Sequence, residues 1–168
     1  MGRTEAMPDD TILKERAHEL FEQAYELQMK GELDAAAALY QQSIELHPTA
    51  EAHTFLGWTY SFQGRLEDAI EECHRAIAVD PDFGNPYNDI GAYLIEKGQL
   101  EEAIGWLERA ARAPRYESRC FPYFNLGRVY EHRHHFRQAL ENYKLALREQ
   151  PGYPAARLAA RRLQSMMN

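Results

Sequence analysis

Residues 53–81 read HTFLGWTYSFQGRLEDAIEECHRAIAVDP, and two apolar series run through them, one on each side of Gly64. The spacing in each half is the three- and four-residue step of an amphipathic helix. Gly64 sits where the first helix should end in a left-handed residue, and Pro81 closes the stretch. The unit is a helical hairpin that cannot bury its own apolar face, so neighbouring copies have to supply the cover.

Such copies are present. Segments beginning at Ala17, Ala50, Gly84 and Cys120 align without strain. One slot is always small: Ala24, Gly57, Gly91, Gly127 in the first helix, and Ala36, Ala69, Ala103, Ala139 in the second. Another is mostly large: Tyr40, Cys73, Leu107, Tyr143. Leu27, Tyr60, Leu94 and Tyr130 share a further position, and Pro48, Pro81, Pro114 and Pro151 end the units. Small residues let paired helices approach closely, and large ones fill the space that remains. Gly31, Gly64 and Gly98 mark the corners, and Asn85-Pro86 and Pro122 read as a cap and first-turn prolines.

This register resembles the tetratricopeptide repeat, whose signature W-x2-L-G-x2-Y…A-x3-F…P of about 34 residues is matched by HTFLGWTY (53–60) and YFNLGRVY (123–130) with their following Ala and Pro. The first unit is the most degenerate, with Gln23-Ala24 in the Leu-Gly slots. The resemblance implies an all-α, right-handed superhelical solenoid of antiparallel helix pairs. The expected organisation is a polar lead over 1–16, repeats over 17–49, 50–83, 84–119 and 120–153, and a capping helix over 154–168. In that cap Ala155, Leu158, Ala159, Leu163 and Met166 are expected on the covering side, with Arg157, Arg161 and Arg162 largely opposite.

Composition narrows the function. At 45% hydrophobic and 27% charged, the chain falls in the soluble globular range. Its longest apolar runs are far below the roughly 20 residues that span a bilayer. The N-terminus MGRTEAMPDDTILKERA has neither an apolar core nor a cleavage site, so no secretory leader is expected. Cys73 and Cys120 form no CxxC pair, and a reducing cytoplasm is the expected compartment. The net charge of −7 divides unevenly: residues 1–108 carry 7 Lys/Arg against 22 Asp/Glu, and residues 109–168 carry 12 against 4. An acidic body and a basic end could stack head to tail.

No catalytic pattern stands out. Cys73 holds the large apolar slot and reads as an inert buried thiol. Cys120 lies near Arg115 and Arg119, an environment that can activate a thiol, yet no base is placed to serve it. Pairs such as Glu71-Glu72 and Glu101-Glu102 are helix neighbours that diverge by about 100° and cannot act together on one substrate. The run EHRHHF (131–136), with His132, His134 and His135, falls on the fourth corner, with His134 in the slot of Gly31, Gly64 and Gly98. Histidine tolerates positive φ better than most residues. A corner is therefore expected there rather than a metal site. No cofactor and no small-molecule substrate are expected, and the chain is read as a non-enzymatic binder of a protein or peptide.

The resemblance further implies that the first helix of each repeat lines a groove. The slots facing a ligand hold Phe21, Glu22, Tyr25 and Gln28, then Glu51, Thr54, Phe55, Trp58, Ser61 and Phe62. Asn85, Asn88, Asp89, Ala92 and Ile95 follow, then Phe121, Phe124, Asn125, Arg128, Glu131 and His132. The carboxylate clamp of chaperone-binding members needs cations that these slots do not supply. Asn88 and Asn125 resemble the asparagine ladders of superhelical members. The connection RAARAPRYESRCFP (109–122) adds arginines, which could attract nucleic acid, but aromatic–basic interleaving is poor there. Together with FPYFNLGRVY (121–130), it also resembles the tetratricopeptide pilotins of type IV pili.

Overall fold

The computed structural model describes residues 9–167, so the first half of the expected polar lead, 1–8, lies outside the described residues. The described chain is helical: α1 Asp10–Met29, α2 Leu33–Leu46, α3 Ala50–Phe62, α4 Leu66–Val79, α5 Asn85–Glu96, α6 Leu100–Arg112, α7 Cys120–His132, α8 Phe136–Glu149 and α9 Pro154–Met167. The chain gathers into two compact units, Met1–Asp80 and Pro81–Asn168.

In the first unit α1 pairs with α2 and α3 with α4, and α2 also packs on α3. α1 begins seven residues ahead of the repeat register, because Asp9 accepts from the Thr11 amide and Asp10 pairs with Lys14 at 2.5 Å, an acid-first arrangement suited to a helix start. Ala24, Ala36, Tyr40, Ala69 and Cys73 are all fully buried. A Cβ on Gly57 would stand 2.9 Å from the Ala69 carbonyl oxygen, so the small slot is a requirement of helix approach. The Tyr40 hydroxyl donates to Gln28 Oε1 at 2.7 Å, which satisfies both buried polar groups. His53 Nδ1 meets Glu72 Oε2 at 2.7 Å between α3 and α4, with Arg75 on the other carboxylate oxygen at 2.8 Å.

In the second unit α5 pairs with α6 and α7 with α8, while α6 packs on α7 and α9 on α8. The tyrosine of the large slot fills the gap opposite the glycine: a Cβ on Gly127 would lie 2.4 Å from the Tyr143 ring. Gly31, Gly64 and Gly98 have φ of 81°, 76° and 77°, and His134 has 60°, so all four corners share one left-handed geometry.

Two local expectations are corrected. Asn85 is the first helical residue of α5 rather than its cap; Gly84 takes that position without a side-chain bond. Gly84 is held there by the long connection, since its amide donates to the Arg115 carbonyl at 3.0 Å and Tyr116 packs where its Cβ would be. The arginines of that connection make contacts within the unit. Arg119 donates to the Ala111 and Ala113 carbonyls, Arg112 pairs with Glu108, Arg115 lies 4.2 Å over Phe83, and Arg109 lies 4.7 Å from both the Tyr87 and Trp106 rings. Finally, α9 buries Ala156, Ala160 and Leu163; of the expected stripe Leu163 is covered and Ala159 half-buried, whereas Ala155, Leu158 and Met166 are exposed, the last two at 72% and 64%. Two alanines one turn apart let α9 sit close on α8, and that rotation leaves Leu158 and Met166 outside.

Two alanine substitutions separate packing from propensity. Gly127→Ala should destabilise the protein by about 2 kcal/mol through overpacking against Tyr143. Gly105→Ala, inside α6 with nothing within 4 Å of the added Cβ, should stabilise by about 0.5–1 kcal/mol. Urea denaturation of both variants beside the parent measures the two signs.

Candidate partner-binding surfaces

The slots expected to face a ligand form a continuous aromatic set in the first unit. Phe21 meets Phe55 edge-on at 5.2 Å, Tyr25 meets Phe55 at 5.8 Å and Phe55 meets Trp58 at 5.6 Å. Trp58 then stacks on Phe62 at 5.9 Å. Tyr40 anchors the set from beneath, with its phenol pushed up first by burial and then by Tyr25 and Glu22. Tyr25, Trp58 and Phe62 are 39%, 43% and 60% exposed, so the outer edge of the set faces solvent. Edge-to-face contacts hold Phe21, Tyr25, Phe55 and Trp58 in place, and stacking on Trp58 holds Phe62. Thr54 departs from expectation: it is buried, and its hydroxyl turns back to the Ala50 carbonyl at 2.7 Å. It lines no surface.

The second unit brings together a different chemistry. Asn125 Nδ2 on α7 donates to Asn88 Oδ1 on α5 at 3.1 Å, and Arg128 donates to Asn125 Oδ1 at 3.1 Å. Asn88 Nδ2 reaches the carboxylate of Asp89 at 3.4 Å. The result is a relay from Asp89 through two buried asparagines to Arg128. Asn85 stands one turn before Asn88 on α5, half-buried. Desolvation pushes the Asp89 carboxyl up to about 7, against the lowering effect of the Asn88 amide. Phe124 lies further along, against Tyr143 at 5.5 Å and Tyr153 at 5.1 Å.

The residues weighed for chemistry sit as follows. Cys120 is buried, its thiol lies 3.1 Å from Gln150 Oε1, and burial pushes its pKa up, the direction opposite to activation. His135 stacks on Tyr130 and His134 meets Phe136 edge-on, so both imidazoles pack on the corner. Among the described residues no group of three His, Cys, Asp or Glu side chains is placed to hold a metal ion. No described helix is long and apolar enough to cross a membrane.

The tetratricopeptide repeat family model matches residues 21–82 and 56–118, more than half of the chain, and the chain belongs to that family. The type IV pilus assembly protein PilF of Pseudomonas aeruginosa is 28% identical over 130 residues, which is 77% of this chain and 52% of that protein. The chain thus spans about half the length of that relative. A structure from the functional characterisation of P. aeruginosa PilF superposes with a TM-score of 0.86 at 24% identity, over 92% of this chain and 70% of that one. The type IV pilus biogenesis factor PilW gives 0.81 at 20% identity, over 89% and 69%. YrrB, a TPR protein with an unusual peptide-binding site, gives 0.67 at 22% identity, over 92% and 79%. These neighbours share the all-α repeat fold expected from the register, and the family in general serves as protein-interaction scaffold.

Asp89 makes stability depend on pH. Burial holds its folded pKa at about 7, above the ordinary value of 3.8, so folding favours the protonated carboxyl between those limits. Its contribution is full below about pH 4 and is lost as pH rises through 7. Asp89→Asn should therefore raise the melting temperature at pH 8 more than at pH 5. Thermal melts of parent and variant at the two pH values measure that difference.

Proposed function

We propose that the chain is a non-enzymatic adaptor that holds a segment of a partner protein on the first helices of its pairs. The observation that carries this reading is the pre-arranged aromatic set in which exposed Tyr25, Trp58 and Phe62 surround the half-buried Phe55. Clustered exposed aromatics supply rigid contact area and are the usual anchors of interfaces. The Asn88–Asn125 pair supports the same reading, because an amide retains donor and acceptor capacity for an extended backbone after one such bond. The names of PilF and PilW tie those proteins to type IV pilus assembly, and we take assembly of a multiprotein machine as the setting most in keeping with this chain. We assign it to the cytoplasm on the strength of two buried cysteines in separate units.

Head-to-tail assembly of the chain with itself is the second reading, favoured by a first unit that carries 6 Lys/Arg against 16 Asp/Glu and by the basic residues after 108. It predicts oligomers that grow with concentration and collapse in salt.

The test is affinity capture from native lysate with the parent and with Trp58→Ala/Phe62→Ala, both exposed enough to leave the fold intact. Recovery of the specific partner should fall by about tenfold or more, with helicity and melting temperature unchanged. Equal recovery by both baits would remove the aromatic set from the interface.

A further inference from the structure

The second unit holds a cleft of about 900 Å³ between α7 and α9, over α8. Its apolar lining is Phe124, Phe136 and Tyr143 with Ala155, Leu158 and Ala159. The α9 wall exists because Ala156, Ala160 and Leu163 turn inward, which aims Leu158 away from the core at 72% exposure. From Ala155 to Arg162 that wall runs about 10 Å along the helix axis, room for about three residues of extended chain or two turns of helix.

Polar residues at this cleft are Arg128, Glu131, His132, His134 and Arg162. Glu131 is already committed: Tyr143 donates to one of its oxygens at 2.7 Å and Arg162 to the other at 2.5 Å. Arg128 gives one N–H to Asn125 and keeps further guanidinium donors. Residues 120–167 around the cleft carry 8 Lys/Arg against 3 Asp/Glu. The lone acid is thus neutralised within the site, and the field around an apolar trough is positive.

We propose that this cleft docks an acidic segment of a partner protein, its apolar side chains against Leu158, Phe124 and Phe136 and its carboxylates towards Arg128. The inference rests on reading the chain as a partner-binding module, but it concerns residues of the second unit, none of which belongs to the aromatic set of the first. An acidic partner here and an aromatic contact there are different chemistries, so either can fail alone.

The probe is a displayed library of random peptides about 16 residues long, roughly 24 Å if helical. It is selected on the full chain and counter-selected on Leu158→Glu. Leu158 is exposed, so the variant should fold, and circular dichroism with a thermal melt verifies it. Enriched peptides should carry net negative charge and apolar residues, bind more weakly at raised salt, and lose about tenfold or more in affinity to Arg128→Glu. Binding to Trp58→Ala/Phe62→Ala should equal that to the parent. Enrichment of neutral or basic peptides, or no enrichment dependent on Leu158, would overturn the proposal. So would sedimentation showing that the chain self-associates and that Leu158→Glu abolishes it, since the occupant would then be a second copy.

Discussion

The close approach of two helices at a glycine or alanine governs each unit. At Gly57 the opposing surface is the backbone carbonyl of Ala69, and at Gly91 and Gly127 it is the side chain of Leu107 or Tyr143. A methyl group at any of these points would collide, so the residue across the gap sets how far apart the pair stands. Buried Ala36, Ala69, Ala103 and Ala139 complete the arrangement from the second helices. Once the pairs are fixed at that spacing, the outward slots of each first helix project in a set direction. That is what allows the aromatic set of α1 and α3 and the asparagine pair of α5 and α7 to form at all.

Features filled alike in every unit were legible in the sequence. The small and large slots, the corner glycines and the substitution of His134 at the fourth corner follow from one register, and the backbone has φ of 60° at that histidine. Features private to one unit were not. His53 and Glu72 form a buried pair, yet each reads as an ordinary polar residue when its own helix is considered alone. Their meeting depends on facing helices, about which single-helix periodicity says nothing. The same holds for the connection after α6. Its arginines could be counted in the sequence, but not their contacts with Phe83, Tyr87, Trp106 and two carbonyls. The misread face of α9 has another origin: alanine counts as apolar in any stripe, and which alanines pack is decided by distance to α8.

The candidate surfaces were legible to a similar degree. Aromatic slots on α1 and α3 could be named from the register, and most of them do reach solvent. Thr54 could not be placed, because a threonine hydroxyl can turn back to the carbonyl four residues earlier and leave the surface. Asn125 and Arg128 were separate candidates in the sequence; their hydrogen bond joins them to Asn88 and Asp89 in one relay. Of the cleft beside α9, the α7 side with Phe124, Arg128, Glu131 and His132 was among the slots named from the register, whereas the α9 side was not, since it arises from the rotation of that helix. Acidic and aromatic chemistry in the first unit, with amide and basic chemistry in the second, gives the chain two kinds of surface on one kind of scaffold.

The most direct test of the account asks which face touches the partner. A photoreactive benzoylphenylalanine placed at Phe62, 60% exposed at the edge of the aromatic set, is compared with the same group at Glu71 on α4, where the side chain is 61% exposed. The account predicts a covalent adduct with the captured partner from position 62 and none from position 71. An adduct from position 71 with none from position 62 would contradict it.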